Sequence, residues 1–491
     1  MKHFLPSLPL ASALPLSALV SSGAMVTSAA AQSTTPTRAS SSSATPKASP
    51  RPDYKNLRFD EIWLPSMRTS HWDNLIKAIP VVPGQPVTLT FGGQLRWRGE
   101  SYRDFNTTLQ NDENTQTRLQ LLADLQVGIR ERWHGRIFAE ARDAQSYGRN
   151  LPGGARSNDA DRHEMQNLFA DVAYGASFVR YGRQEITFNR ERLFGVPDWS
   201  NTRRGLQGTR ALLTRGAFAI EGMDTRPVIV RQSQPNRADS TTRFRTLSFG
   251  SSTSAAPLAR GVPATWQGYW YEQEVRTPTT LTRRLTTGGR AQWQLGTSAS
   301  PRGYTVDVEG GSQQGHVSAR TADAWFWVAE GQLTWRTVDG APTIAIGVEE
   351  ASGEHAATPA RAEAFYTLYP AAHGHGGYAD VIGRANVREL HAISTWDPTK
   401  ALQLRGALYR FDRLRTDDGI YTKQNTLFRA ASGSTDRHAA DEVDLTGIWK
   451  ATRHVRVTFG GGIVAPGAFL KNTPGGAHTE HWGFAGTSFT F

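Results

Sequence analysis

Arginine residues recur at every second position in several segments of the chain, and acidic residues stand among them. A guanidinium group is a planar fork of donors that can bind a carboxylate through two hydrogen bonds. A row of such groups on one surface could therefore bind anions. The residues predicted to line a pore and to bind anions are Arg96, Arg98, Glu100, Arg118, Asp124, Arg130, Arg136, Arg142, Arg284, Arg290, Arg336, Arg405 and Arg456.

The elements that must position these arginines have a period of two. Between Val87 and Arg98, apolar residues alternate with polar ones over about twelve positions, whereas a strand of a soluble protein averages roughly five or six residues. Such alternation predicts a strand with one apolar and one polar face. The predicted strands are about eighteen, with approximate spans 87–100, 117–130, 133–143, 165–174, 178–186, 208–215, 218–225, 241–250, 265–274, 283–295, 304–314, 324–336, 342–352, 385–396, 401–412, 440–450, 454–464 and 480–491.

The connections between these strands alternate in length. Joins such as 175–177 and 397–400 are short, whereas 101–116, 187–207 and 353–384 are long and polar. An outer-membrane barrel has short periplasmic turns and long extracellular loops, and its strands alternate an apolar lipid face with a polar lumen face. We therefore predict an all-β fold, a transmembrane antiparallel up-and-down β-barrel whose arginines face the lumen.

A second interpretation of the polar face stays open. Acidic residues accompany the arginines at similar density, and the two could pair as an internal lattice that fills and rigidifies a closed barrel. The acidic residues in question beyond Glu100 and Asp124 are Glu140, Asp307, Glu309, Glu330 and Glu349.

Composition limits the class of protein. Hydrophobic residues make up 38% of 491 residues and aromatic residues 10%, which is too apolar for a disordered chain. After residue 20, no run approaches the roughly 18 apolar residues of a membrane helix. Cysteine is absent, so no disulfide and no cysteine metal site can form. The net charge of +11, with 47 Arg and 8 Lys, favours anionic partners such as lipopolysaccharide or an acidic solute.

The chain divides into four parts. Residues 1–31 have a basic start, an apolar stretch and Ala29-Ala30-Ala31, which predicts a cleavable export signal. Residues 32–52 are rich in Ser, Thr and Pro, which predicts a disordered linker. Residues 53–86 are too apolar for a free tail and are predicted to be a periplasmic or plug-like segment. Residues 87–491 are the predicted barrel.

Several motifs resemble those of the alginate export family of bacterial outer-membrane barrels. A terminal Phe491 that closes an amphipathic strand also resembles the recognition signal of such proteins. The motifs, in chain order, are Leu57–Glu61, Ile76–Pro80, Phe91–Glu100, Tyr181–Glu185, Arg192–Gly195, Asp198–Thr202, Leu368–Pro370 with His373, Glu442–Leu445 and Pro466-Gly467. The resemblance implies an eighteen-stranded barrel that passes an anionic polysaccharide, such as an alginate-like uronate, through an arginine-lined pore. Family members need not share one cargo.

Other functions have less support. The sequence contains no G-x-S-x-G, H-E-x-x-H, Walker or dinucleotide motif, so no enzymatic activity and no cofactor are predicted. The arginines are spread at strand period, which disfavours nucleic-acid binding. His355, His373 and His375 are expected to belong to a flexible loop and not to a metal site. The alternatives to a channel are a plugged structural or adhesive barrel and, less favoured, a barrel hydrolase. The expected partners are outer-membrane lipid, lipopolysaccharide, the anionic solute and, as a further option, periplasmic secretion proteins.

Overall fold

The computed structural model describes residues 51–129, 131–196, 198–232, 234–251, 265–297, 299–369, 371 and 373–491. The predicted signal peptide and residues 32–50 of the predicted linker lie outside this range, as does Arg130. Eighteen long strands confirm the predicted number. They are β1 Val87–Arg103, β2 Asp112–Val127, β3 Trp133–Tyr147, β4 Asp161–Tyr174, β5 Ser177–Gln184, β6 Leu206–Arg215, β7 Phe218–Ile229, β8 Thr242–Ser251, β9 Thr265–Arg276, β10 Leu281–Leu295, β11 Arg302–Val317, β12 Arg320–Trp335, β13 Thr343–Ala351, β14 Val387–Thr399, β15 Leu402–Asp412, β16 His438–Lys450, β17 Val455–Pro466 and β18 Glu480–Thr490.

Helical structure in the described residues is short. Three-residue to five-residue 3₁₀ turns lie at Arg58–Asp60, Pro65–Met67, Trp72–Ile76 and Phe105–Thr107, and the α-helix α1 covers Ala468–Lys471. No helix in this part of the chain has the length and apolar character needed to cross a membrane.

Each long strand pairs antiparallel with its neighbours in the chain, and the sheet closes on itself. The closure joins β1 to β18, with Gln94 opposite Thr490 and Arg103 opposite His481. A closed barrel leaves no unpaired backbone edge, which is the condition for strands to cross a membrane. The predicted fold class is thus confirmed.

The two rims differ in the length of their connections. At one rim, the turns 175–176, 216–217, 400–401 and 451–454 are short, and both ends of the barrel lie there. At the other rim, the loops 148–160, 185–205, 352–386 and 413–437 are long, although the connections 277–280 and 318–319 are tight. Even strand number and turn length together identify the short-turn rim as periplasmic.

The alternation of side chains gives the barrel an apolar exterior. On β1, Leu95 and Trp97 are exposed, whereas Arg98 and Glu100, which lie on the opposite face, are buried in the interior. Outward aromatic residues gather at the short-turn rim; for example, the rings of Trp133 and Tyr174 lie 4.9 Å apart. Such girdles mark the membrane interface, and an arginine turned toward lipid at mid-membrane would cost ~2–4 kcal/mol.

Three segments fold into the barrel interior. The β5–β6 loop (residues 185–205) and the β13–β14 loop (residues 352–386) contribute Phe194 and Phe365 to a buried cluster with Phe244 and Phe326 of the wall. The N-terminal segment (residues 51–86) places Leu57 and Phe59 in a second cluster, which includes Leu122, Phe138 and Phe169 of the wall.

Candidate solute pathway

Three of the predicted arginines face the lumen side by side on β1 and β2. Arg96 lies directly opposite Arg118, and Arg98 lies opposite Gln116. Side chains directly opposite on antiparallel strands point to the same face. The strand pairing therefore places these three cations on one face of the wall, as predicted. Their hydrogen-bond partners, however, come mainly from a loop.

The β5–β6 loop binds this arginine row through its backbone. Arg96 donates to the carbonyl oxygen of Asp198 at 2.5 Å and to Oδ1 of Asn201 at 3.0 Å. Arg98 donates to the carbonyl oxygen of Trp199 at 2.8 Å and stacks on the indole ring, with the guanidinium carbon 3.8 Å from the ring centroid. Arg118 donates to the carbonyl oxygen of Ser200 at 3.3 Å. The arginines thus hold residues 198–201 against the wall.

Asp198 is the acidic centre of this contact. Its Oδ1 lies 2.9 Å from Arg118, 3.3 Å from Arg203 and 4.0 Å from Arg96, while its side chain is 48% exposed. Burial among protein atoms opposes ionisation of Asp198, but Arg118, Arg203 and Arg96 outweigh it and hold the pKa of the carboxyl far below its ordinary value. One permanently charged carboxylate is therefore shared by three guanidinium groups.

The β13–β14 loop packs against the β5–β6 loop. The backbone N–H of Tyr369 donates to the carbonyl oxygen of Leu193 at 2.9 Å, and that of Gly195 donates to the carbonyl oxygen of Tyr369 at 2.9 Å. The ring of Trp199 lies 5.2 Å from that of Tyr378 and 4.6 Å from that of Phe484 on β18. Because of these contacts, movement of either loop requires the other to adjust.

The opposite wall supplies acids to arginines of the β5–β6 loop. Arg192 is buried, and its Nη1 lies 3.0 Å from Asp307 and 3.0 Å from Glu309 on β11. Arg190 lies 2.5 Å from Glu330 on β12. The loop is thus held at its start by wall carboxylates and at its tip by wall arginines.

Carboxylates of the wall also bind the β13–β14 loop. Arg384 pairs with Glu349, with one contact of 2.9 Å. The backbone N–H of Ala379 donates to Glu442 at 2.7 Å, and that of Tyr378 donates to Asp444 at 3.1 Å. Both loops are therefore held to the wall by charge-assisted hydrogen bonds, which are stronger than neutral ones.

The N-terminal segment closes part of the periplasmic end. The ring of Phe59 lies 5.3 Å from Phe169 and 5.6 Å from Phe138, and its carbonyl oxygen accepts a 2.6 Å hydrogen bond from Arg136. Arg203 of the β5–β6 loop donates to the carbonyl oxygen of Asn56 at 3.0 Å. The segment and the loop consequently meet inside the barrel.

Most of the other predicted residues lie in the interior as members of pairs. Glu100 binds Arg98 at 2.6 Å. Asp124 and Arg136 form a pair at 2.7 Å, and Arg290 binds Asp307 at 3.0 Å. The remaining paired residue is Arg142, which binds Asp161. This arrangement is the acid–base lattice that the sequence left open as the second interpretation.

Three predicted arginines that face the lumen have no carboxylate within ion-pair distance in the described residues. Arg284 lies over the ring of Tyr366 at 4.0 Å, and Arg405 donates to the hydroxyl of Tyr409 at 2.8 Å. Arg456 is exposed near the periplasmic rim and lies opposite Ser488, which places it on the lumen face. These cations could meet a solute without first losing a protein carboxylate.

One predicted pore-lining residue, Arg336, does not lie in the lumen. Arg336 was expected in the lumen, but β12 ends at Trp335 and Arg336 lies in the following turn, where it is exposed and binds the carbonyl oxygens of Thr297 and Ser300. The prediction was wrong because the alternation of faces stops where the strand stops.

The arginines that the sequence analysis missed as members of the lattice include four from the β5–β6 and β13–β14 loops. Arg190, Arg192, Arg203 and Arg384 lie on loops, where no periodicity reports the direction of a side chain. A usable signal existed in the motifs, because Arg192 and Asp198 each begin one of them. The three loop histidines do not converge: His355 contacts Asp417 at 2.9 Å, whereas His375 contacts the carbonyl oxygen of Arg190 at 2.6 Å.

Comparisons with known proteins agree on a barrel of the outer membrane. Residues 87–484 match the model of a family described as Alginate export. No curated protein matches the chain. The crystal structure of Pseudomonas aeruginosa OccD3 (OpdP) is similar with a TM-score of 0.55 at 10% identity, over 84% of this chain and 92% of that one. That of P. aeruginosa OccK8 (OprE) has a TM-score of 0.54 at 14% identity, over 82% and 98%.

A third similar structure contains a small molecule. The crystal structure of P. aeruginosa OpdK with vanillate has a TM-score of 0.51 at 9% identity, over 82% of this chain and 98% of that one. At such identities the likeness concerns the fold alone.

Proposed function

The chain belongs to the alginate export family and is a channel-type β-barrel of the bacterial outer membrane, and from this premise we propose that it passes anionic solutes, with uronate polysaccharides as first candidates. The arginine-rich interior is the pathway in this proposal. The residues proposed to contact the solute are the predicted arginines that face the lumen, above all Arg96, Arg98 and Arg118.

The observation that carries the proposal is the surplus of cations at Asp198. Arg96, Arg118 and Arg203 share this one carboxylate, and it is half-exposed. Arg203 is also paired with Glu185 at 2.7 Å, so the donors open to a solute carboxylate are those of Arg96 and Arg118. Such a carboxylate would displace backbone carbonyls, the amide oxygens of Asn201 and Gln94, and the shared carboxylate of Asp198. Such a site binds weakly, which favours passage, because conduction needs several weak sites and not one tight site.

The chemistry of a fold relative supports the class of solute. OpdK was crystallised with vanillate, which is an aromatic carboxylate. The similarity supports the idea that a barrel of this fold accepts carboxylates, and it assigns no residue of this chain.

The N-terminal segment is part of the proposal as a periplasmic plug. Its apolar residues Leu57 and Phe59 are buried, and Arg58 donates to carbonyl oxygens of Gly93 at 3.0 Å and Phe491 at 2.9 Å. These bonds fasten the segment to the seam between β1 and β18. Opening of a wide path from the periplasm would require part of this segment to leave.

The test is ion selectivity in planar lipid bilayers. The wild type is expected to be anion-selective and to be blocked by uronate oligomers, more strongly at low salt because ions screen the field. The double variant Arg96→Glu with Arg98→Glu should shift the reversal potential toward cation selectivity and weaken the block. Heat-modifiable migration on a gel checks that the variant barrel is folded.

A matched control reverses the same number of charges outside the lumen. Arg215 and Arg302 are exposed at the periplasmic ends of β6 and β11, and Arg215→Glu with Arg302→Glu should leave selectivity unchanged. Cation selectivity of the wild type, or absence of conductance even after deletion of residues 188–200, would overturn the proposal and favour a plugged structural or adhesive barrel. Unchanged selectivity in the folded Arg96/Arg98 variant would remove these residues from the pathway.

A further inference from the structure

Three potential metal ligands meet where the N-terminal segment touches the periplasmic rim. His71 and Asp73 belong to the segment, and His454 belongs to the turn between β16 and β17. One ligand atom from each residue lies within 4.8 Å of the other two. The distances are 2.5 Å from Nδ1 of His71 to Asp73 and 3.5 Å from Nε2 of His454 to Asp73.

The tautomer of His454 suits a metal ligand. Its Nδ1 lies 2.7 Å from the carbonyl oxygen of Thr490, and because a carbonyl can only accept, Nδ1 carries the proton. In the neutral ring Nε2 then has a free lone pair. Metal-binding histidines are commonly fixed in this way by a second hydrogen bond to a backbone carbonyl.

The surroundings of Nε2 of His454 favour a cation at this position. This atom is buried and has no hydrogen-bond partner in the described residues, yet it faces a carboxylate oxygen of Asp73 at 3.5 Å. Two lone pairs that face each other repel unless a proton or a metal ion lies between them. The Asp73 carboxylate is itself fully buried, whereas His71 is half-exposed and leaves a way in from the periplasm.

Hydrogen-bond donors surround the carboxyl group of Asp73. The two terminal nitrogens of Arg51 lie 3.2 Å from its two oxygens, and Nδ1 of His71 lies 2.5 Å from one of them; such donors favour the ionised form of a carboxyl group. A deprotonated carboxylate and two imidazoles form a donor set that suits Zn²⁺, with bonds of about 2.0–2.1 Å and ligand atoms therefore roughly 3.3 Å apart. The hydrogen bond from His71 would give way to the metal, and the neutral ring would then carry its proton on Nε2 instead of Nδ1.

We propose that His71, Asp73 and His454 form a binding site for Zn²⁺ or a similar first-row divalent cation, which fastens the N-terminal segment to the rim of the barrel. Three protein ligands leave a fourth position for water. The site links parts of the chain that are far apart in sequence, so the ion would stabilise the docked segment.

Arg51 opposes the ion. Its two terminal nitrogens lie 3.2 Å from the two oxygens of Asp73, so the guanidinium occupies the carboxylate and repels a cation. Arg51→Ala should therefore raise the affinity for Zn²⁺, whereas a purely structural hydrogen-bond cluster would gain nothing from this change.

The experiment is Zn²⁺ titration of the chelator-treated, folded barrel by isothermal calorimetry, with Co²⁺ absorption as a probe of tetrahedral ligands. The chain has no cysteine to compete. We expect saturable binding of one ion per chain, and His71→Ala or Asp73→Asn should weaken it by more than ~tenfold, since even outer-shell changes cost that much. The matched control is His163→Ala, because His163 lies 3.2 Å from Asp143 without a third ligand.

Limited proteolysis distinguishes Zn²⁺ bound at this site from Zn²⁺ bound elsewhere on the protein. Protease cleavage within residues 51–86 should slow when Zn²⁺ is added to the wild type and to His163→Ala, but not to His71→Ala. No saturable binding, or binding of equal strength in the wild type, His71→Ala and Asp73→Asn, would overturn the proposal. Neither readout depends on conductance, so failure of the channel proposal would leave this one standing, and the reverse also holds.

Discussion

Trp199 is the residue by which the docking of the β5–β6 loop can be tested most directly. Its ring stacks under the guanidinium of Arg98 at 3.8 Å, and it contacts the rings of Phe484 at 4.6 Å and Tyr378 at 5.2 Å. Trp199→Ala removes all three contacts but keeps the backbone carbonyl that Arg98 binds. The change therefore weakens docking and leaves the arginine hydrogen bond in place.

The magnitude follows from these contacts. An aromatic pair contributes ~0.5–1.5 kcal/mol beyond burial, and a cation–π contact contributes ~0.5–2 kcal/mol. Two pairs and one cation–π contact sum to ~1.5–5 kcal/mol, and the central part of this range, ~2–4 kcal/mol, is taken for this half-buried ring. Since each ~1.4 kcal/mol is tenfold in an equilibrium constant, the population of the undocked loop should rise roughly 30-fold to 1,000-fold.

Single-channel recording measures this population. Trp199→Ala should open more often or for longer than the wild type, with unchanged heat-modifiable migration, because the strand pairing that closes the barrel is untouched. Trp449→Ala is the matched control, since this tryptophan is exposed on the outer face. Wild-type gating in a folded Trp199→Ala variant would refute the idea that the loop constricts the pathway through this contact.

Two more predictions concern the same loop. Burial raises the pKa of Glu191 to about 7, so the docked loop binds more protons than the free loop between pH ~4.5 and ~7. Docking should therefore weaken by up to ~1.4 kcal/mol per pH unit as the pH rises across this window, and the open probability should rise with it. A Glu191→Gln variant with the same pH dependence as the wild type would contradict this reasoning. Arg192→Met should leave Glu309 buried without its loop cation and cost ~3–5 kcal/mol of loop docking. Limited proteolysis of the loop would report this loss as faster cleavage. Protection equal to the wild type would show that Arg190 and Arg290, which both lie within ion-pair distance of Asp307, suffice to neutralise these acids.

The strands and their faces could be predicted because their signal is local. Arg98 and Glu100 follow the alternation of β1, and both are buried in the interior as expected. The same rule failed at Arg336, since the strand ends one residue earlier. Periodicity therefore predicts a direction only within a strand, and the ends of strands are its weakest point.

The destination of the loops could not be predicted, because it depends on pairs far apart in sequence. Asp112, the first residue of β2, and Asp159, in the loop before β4, lie in polar stretches of the sequence, yet both are buried and bind Arg149, at 2.5 Å and 3.0 Å. Likewise, nothing local connects His71 with His454. Charged residues in loops of a barrel can turn inward, and composition alone does not distinguish this case from exposure.

The placement of the motifs suggests what they specify. Arg58 fastens the N-terminal segment, Trp199 and Arg192 fasten the β5–β6 loop, and Glu442 binds the backbone of the β13–β14 loop. Each of these residues belongs to a motif that carries the family resemblance, and each holds an interior segment to the wall. The motifs therefore describe how the lumen is filled.

The preference among anionic solutes should then depend also on lumen arginines outside these motifs. Arg284, Arg405 and Arg456 belong to none of them, and no carboxylate lies within ion-pair distance of these three in the described part of the chain. A solute carboxylate can bind such a cation without the cost of separating an existing ion pair, which is several kcal/mol for a buried pair. Changes at these three positions should therefore alter the preference among anions while loop docking stays intact, whereas changes at the motif residues that hold the loops, such as Trp199 and Arg192, should alter gating for every solute.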